Sequence, residues 1–289
     1  MKIALDPDMY KDMPIPQMVA KVKELGYDYI ELSPRDDFFP FYKYARVDKA
    51  RIKEFNKALK DNDLQIASLI VMQHWAGPNE DDRIAAVKNW KRCIEVAQEL
   101  GVDNINTELT GHKDKPYICE QKFLKSIDEL LPTMEKSCIQ FNIQSHPFDF
   151  IENGYQTVDL IRALDKEFIG FYYATPHTFF YDDGNGDIAS LLEYAKPKFK
   201  QINVADTLNH KASDGLRVIV NPPEAVACCT VHQHLDIGKG DINWPMLWDK
   251  LKEMKFDGII TSAVFGEKER RDESSRYMLK TIKECLGIQ

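Results

Sequence analysis

The chain holds 289 residues, 44% hydrophobic and 29% charged, a balance that suits a core-forming globular protein and excludes disorder. With 38 basic against 46 acidic residues the net charge is −8; that field disfavours a polyanion, and no basic stripe with stacking aromatics offers a nucleic-acid footprint. No apolar run nears the roughly 20 residues of a membrane helix, and the opening MKIALDP is too short for a signal peptide, so a cytoplasmic protein with no membrane partner is expected.

The opening residues read as a strand at 3–6, and further strands are predicted at 28–33, 65–72, 103–109, 139–145, 168–174, 200–205 and 257–264. Helical patterns lie between them at 15–25, 48–60, 80–100, 121–137, 155–165, 187–195, 244–254 and 272–286. Within the third helix Ile84, Val87, Ile94 and Ala97 recur at helical spacing with charged residues between. One junction repeats, in ELGYDYIEL (24–32), ELGVDNINTEL (99–109) and EMKFDGIITSAVF (253–265): a helix end, a breaker, an Asp, then an apolar strand. Gly26 and Gly101 stand where a helix ends in a left-handed residue.

Strict alternation of eight strands with eight helices means a parallel sheet. At about 36 residues per unit it has the size of a closed (β/α)8 TIM barrel, a single domain over 1–289. Its long loop, about 206–243, follows the seventh strand. A doubly wound sheet is the runner-up, but no G-x-G-x-x-G follows the first strand. The cysteines, Cys93, Cys119, Cys138, Cys228, Cys229 and Cys285, form no C-x-x-C and include one adjacent pair, so reduced, mostly buried thiols are expected.

In such a barrel chemistry collects at the C-terminal ends of the strands. His74, His112, His146, His177, His210, His232 and His234 all fall there or in the following loops. Any one of them is more readily read as a structural residue; the group points to a site. Asp6, Glu31, Glu108 and Asp206 lie in or at the ends of strands, and carboxylates with imidazoles suit a metal or proton-transfer centre. Trp75, Asn106, Gln144, Phe148, Phe179 and Phe180 add rings and amides that suit a polyol or sugar, although each ring alone is better read as rim packing. The segment DIGKGDINW (236–244) is a weak phosphate candidate; a turn capping the seventh helix through Asp241 or Asn243 is the preferred reading.

The strings QSHPFDF (144–150), TPHTF (175–179), NVAD (203–206), HLDIGKGDINW (234–244) and FDGIITSAVF (256–265) resemble, over essentially the whole chain, the xylose isomerase-like (AP endonuclease 2-like) barrels of sugar phosphate isomerases and epimerases. The longer strings YIELSPRDDF, FNIQSHPFDF, SDGLRVIVNPP and ESSRYMLKTIKE are similar to a branch in bacterial inositol catabolism. The resemblance implies metal-dependent proton shuttling in hydroxy-ketone sugars, and inosose-type ketones as substrates. It also implies a divalent metal (Mn, Mg or Zn) held by Glu, Asp, His and Glu on the last four strands; here those positions are Gln144, Ala174, Asn203 and Ala263.

Two site readings follow. In one the metal has moved to ligands drawn from Glu108, His146, His177 and His234. In the other no metal is used: His146 or His177 takes a proton next to a carbonyl, and Asn106, Gln144 and Asn203 stabilise the enediolate oxygen. Catalytic candidates are therefore His146, His177, Glu108 and Asp206. Substrate-binding candidates are Asp6, Glu31, Trp75, Asn106, Gln144, Asn203, Arg217 and His234. An isomerase or epimerase of a keto-sugar or inosose is expected, acting on a small-molecule sugar or cyclitol. The alternatives are a lyase cleaving 3-keto C-glycosides, which an apolar mouth of Phe38, Phe39, Phe41 and Tyr42 would favour, and a non-catalytic polyol-binding barrel. A DNA-repair nuclease of the same superfamily would need a basic face, against the charge balance. The aromatic stretch 38–44 suggests a lid or a homo-oligomer interface.

Overall fold

A computed structural model describes residues 1–35, 49–177, 187–208 and 233–288. Among the described residues eight strands and eight helices alternate: β1 Lys2–Leu5, α1 Ile15–Glu24, β2 Tyr29–Leu32, α2 Lys49–Asp61, β3 Gln65–Ile70, α3 Glu80–Leu100, β4 Asn104–Glu108, α4 Pro116–Ser137, β5 Gln140–Gln144, α5 Gly154–Leu164, β6 Ile169–Ala174, α6 Ile188–Ala195, β7 Phe199–Val204, α7 Trp244–Glu253, β8 Ile259–Ser262 and α8 Arg271–Leu286. Each strand pairs in parallel with the next, and β8 returns to β1 through Lys2↔Ile259 to Leu5↔Ser262, closing the barrel. The expected (β/α)8 fold is therefore observed.

Local chemistry explains the punctuation. Asn79 caps α3 by accepting from the backbone N–H groups of Asp81 and Asp82, and the acidic Glu80, Asp81 and Asp82 suit the positive end of the helix dipole. Gly26 and Gly101 close α1 and α3 with φ of +96° and +70°. At the third repeat of the junction Lys255 takes φ +52° instead, so the geometry survives without the glycine. Helix α4 starts at Pro116, five residues before its apolar period begins to show. Proline at the first helical position loses no hydrogen bond and arrives with φ preset, a signal that periodicity does not carry.

Apolar side chains fill the layer between barrel and helices. Trp75 lies at its centre, with ring centroids 4.6 Å from Trp90 and 5.1 Å from Phe123. A separate small cluster, Ala4, Ala67 and Ile259 with Tyr29 against it, fills the bottom of the barrel interior. Cys93 and Cys119 are buried, Cys285 half-buried and Cys138 exposed, all as free thiols, while Cys228 and Cys229 lie outside the described residues. Among the described residues no helix is long and apolar enough to cross a membrane.

Candidate active site

Strand side chains alternate between faces, so inward residues recur every second position. The lower inward tier is a polar network around Glu31. Its carboxylate accepts from the Ser68 hydroxyl at 2.6 Å, the Tyr172 hydroxyl at 3.0 Å, and the side-chain amides of Asn106 and Gln201. Gln201 also donates to Thr261 Oγ1 at 3.0 Å, and Asn142 to Asn106 Oδ1 at 3.0 Å. Burial raises the Glu31 carboxyl pKa despite these donors. Glu31 and Asn106, expected to touch substrate, thus sit beneath the rim with their polar atoms engaged by the barrel itself.

Two residues further along each strand lies the upper tier: Asp6, Ser33, Glu108, Gln144, Ala174, Asn203 and Ala263. Asp6 accepts from Ser33 Oγ at 2.6 Å and from the Asp8 N–H at 3.0 Å. Burial first, then the charges of Asp8 and Glu31, pushes its carboxyl well above the usual range. Gln144 donates through Nε2 to Glu108 Oε1 at 3.1 Å. Gln144 Oε1 and Asn203 Oδ1 are buried and have no hydrogen-bond partner among the described residues. The four positions of the expected family metal site therefore offer two amide oxygens and two methyl groups, with no carboxylate or imidazole. Such a set does not fit a divalent ion there.

Three imidazoles converge above this tier. His177 ends the short turn Thr175–His177 after β6, and its ring centroid is 4.7 Å from that of His146 and 6.3 Å from that of His234. His234 stacks on Phe265 at 4.3 Å. The Nδ1 atoms of His146, His177 and His234 lie 2.8, 2.9 and 2.7 Å from the carbonyls of Pro147, Ser145 and Ala263. A carbonyl only accepts, so Nδ1 carries a proton in each, and in His177 and His234, which burial keeps neutral, Nε2 carries the lone pair. Burial, then the neighbouring imidazoles, pushes His177 well below the usual value; burial and His146 bring His234 down to about 4, against the opposing Ala263 bond.

Glu108 joins this cluster, with Oε1 3.8 Å from His146 Nε2. So does Asp149, which sequence reasoning missed. The backbone turn from His146 O to Asp149 N, 3.1 Å, folds the HPFD segment back on itself. Asp149 then accepts from the Thr110 N–H at 2.8 Å. Burial and the charge of Glu108 push its carboxyl well above the usual range. The H-x-x-D spacing inside QSHPFDF was the available signal. Donor atoms of Glu108, His146 and Asp149 all lie within 4.8 Å of one another.

Other expected site residues lie elsewhere. Asp206, expected as catalytic, is a loop clamp: Oδ1 accepts from the N–H groups of Thr207 and Ile242, and Oδ2 from Gly238 N–H and the Trp244 indole, both at 2.8 Å. Gly240 is required beneath it, since a Cβ there would fall 2.4 Å from Asp206 Oδ1. The preferred reading of that segment holds, for Asn243 caps α7 by accepting from the Met246 N–H. Trp75, expected to bind a sugar ring, is fully buried in the outer layer and donates to the Glu108 carbonyl at 3.0 Å. His74 and His112 are exposed. Arg217, His210, His232, Phe179, Phe180 and the aromatic stretch with Phe38, Phe39, Phe41 and Tyr42 lie outside the described residues.

The buried neutral imidazoles couple folding to pH. An unfolded histidine titrates near 6.5, whereas His234 titrates at about 4 in the fold. Between those values the unfolded chain binds the proton and the folded chain does not, so stability falls as pH drops from about 6.5 toward 4. Urea unfolding of wild type and His234→Asn at pH 7 and pH 4.5 isolates this from the carboxylates, which both proteins share. The variant is expected to lose about 2–3 kcal/mol less than wild type across that interval. Equal losses would remove the coupling.

A family model described as the xylose isomerase-like TIM barrel matches residues 19–285. The chain is similar in structure to a D-tagatose 3-epimerase-like protein, with a TM-score of 0.73 and 17% identity over 99% of this chain and 98% of that one. A 3-keto-D-glucoside 4-epimerase of E. coli gives a TM-score of 0.73 with 15% identity, covering 99% of this chain and 100% of that one. The IOLI protein with a bound zinc atom gives 0.70 and 14%, covering 99% and 98%. No curated protein matches the sequence.

Proposed function

The chain belongs to the xylose isomerase-like TIM-barrel family, and we propose that it is an isomerase or epimerase moving a proton beside the carbonyl of a keto-sugar or a cyclitol ketone of the inosose type. The observation that carries this is the perpendicular pair of imidazoles, His146 and His177, 4.7 Å apart at the upper tier and backed by Glu108. His177 is the base. Burial keeps it neutral, and its Nδ1–H on the Ser145 carbonyl directs the lone pair to Nε2 and stabilises the imidazolium that forms. Protonated on Nε2 as well, His146 would donate to the carbonyl oxygen as the electrophilic partner, with Glu108 Oε1 3.8 Å away to match the charge of that form. Asn203 Oδ1, a buried acceptor with no donor among the described residues, suits a polyol hydroxyl, and His234 flanks the same space. The similar barrel of a 3-keto-D-glucoside epimerase supports the substrate class, and that of the IOLI protein the cyclitol branch.

Incubation in deuterated water with a panel of inososes, ketohexoses and 3-keto glycosides tests the reaction class. Deuterium next to the carbonyl, together with an isomeric or epimeric product, is expected for at least one panel member. A released aglycone would instead identify a lyase. Calorimetric binding without exchange would identify a polyol-binding barrel.

A further inference from the structure

We propose that the mouth of this barrel holds one divalent ion of the Mn2+ or Zn2+ kind on Glu108, His146 and Asp149, shifted toward β4 from the positions the family uses. The three donors come from two adjacent units. Glu108 is the last residue of β4, and His146 and Asp149 belong to the turn after β5. Their ligand atoms all lie within 4.8 Å of one another, and the His146 to Glu108 distance is 3.8 Å. Donors about 2.0–2.2 Å from one ion stand roughly 3–4 Å apart, so only a small contraction is needed.

Each donor is already braced as a ligand would be. Nδ1 of His146 contacts the Pro147 carbonyl, and Nε2 is the nitrogen that faces Glu108, 3.8 Å from Oε1. Asp149 is held through Oδ2 by the Thr110 N–H, and Glu108 by the Gln144 amide. Phe148, between the two ligands of the turn, takes φ +72°, a left-handed conformation rare for an aromatic residue.

A second observation comes from the residue beside the cluster. Gln144 is buried at 4% exposure, its Nε2 is 3.1 Å from Glu108 Oε1, and among the described residues its Oε1 has no partner. A half-turn about its last torsion would give up the bond to Glu108 and bring the oxygen to the cluster as a fourth donor once Glu108 is held by the ion instead. One imidazole, two carboxylates and an amide oxygen form a borderline-hard set. It suits Mn2+ or Zn2+ better than a soft ion, which prefers sulfur, or Ca2+, which takes six to eight oxygens. His177 is not required as a ligand and stays available as the base.

The inference deepens the reading above, because the ion would take over the polarising role given to His146. Its test needs no substrate. Untagged protein is stripped with chelator, dialysed and titrated with MnCl2 and ZnCl2 by calorimetry. We expect one ion per chain, with affinity weakened at least about tenfold in Asp149→Asn and in His146→Gln, and kept in His177→Gln. Thermal melts of all variants establish that each is folded, and the two ligand variants serve as substitutes for each other. No binding by wild type at about millimolar ion, or unchanged affinity in both ligand variants, overturns the proposal. Metal binding with no exchange on any ketone would sink the isomerase reading alone; exchange undiminished by chelator would sink this inference alone.

Discussion

Glu31→Ala is expected to lower the stability of the barrel by about 3–5 kcal/mol, read as a shift in the urea midpoint at constant slope. The carboxylate is fully buried and accepts from four side chains on four strands: Ser68 on β3, Asn106 on β4, Tyr172 on β6 and Gln201 on β7. Truncation removes the acceptor that Ser68, Asn106 and Tyr172 share at this buried position, while Gln201 keeps Thr261 Oγ1. Each orphaned buried group costs about 1–3 kcal/mol. The raised pKa shows that burying the carboxyl has its own cost, so the net loss is less than the sum over these donors. Glu31→Gln separates the two effects. It keeps the length and one acceptor oxygen and removes the charge, and the Tyr172 hydroxyl can turn to accept from the new amide. That variant should fall within about 1.5 kcal/mol of wild type. A loss under about 1 kcal/mol in Glu31→Ala would mean that the network does not hold the strands in register.

The same residue shows what could be read in the sequence. A two-residue period establishes that Glu31, Asn106 and Glu108 face inward, and the repeated junctions at Gly26 and Gly101 establish where each unit restarts. Depth along the barrel axis is not periodic. It follows from strand tilt and from the register shifts at Ile30/Glu31 against β3 and at Phe171/Tyr172 against β7, which are settled only when the barrel closes. Hence Glu108 reached the rim as expected, while Glu31 and Asn106, also assigned to the site, belong one tier lower. Asp206 is engaged in its own loop for a related reason. Its strand-end position was legible, but its engagement with Gly238, Ile242 and Trp244 depends on a loop returning from more than thirty residues away. Asp149 was passed over because it stands beyond the strand, brought back by a turn with a left-handed Phe148 that no propensity favours.

The largest functional effect is expected at His177. If its Nε2 removes the proton, His177→Ala should slow solvent-deuterium exchange by at least about a hundredfold, the lower range for losing a general base. The loss should fall on kcat, with KM within about threefold, because the base contributes to the transition state more than to the bound ground state. His146→Ala should cost at least about tenfold and, in contrast, should also raise KM, since His146 is assigned to the carbonyl oxygen already present in the bound ketone. The neighbours make the contrast readable. His177 is held through the Ser145 carbonyl rather than through His146, so removing one ring leaves the backbone anchor of the other in place. Folding of both variants is checked by urea midpoints, where loss of a buried neutral imidazole should be small compared with Glu31→Ala. Turnover in His177→Ala equal to wild type would take the base assignment away from this ring. A rise in KM with kcat unchanged would reduce His177 to a binding residue and leave His146, paired with Glu108, as the remaining candidate for the base.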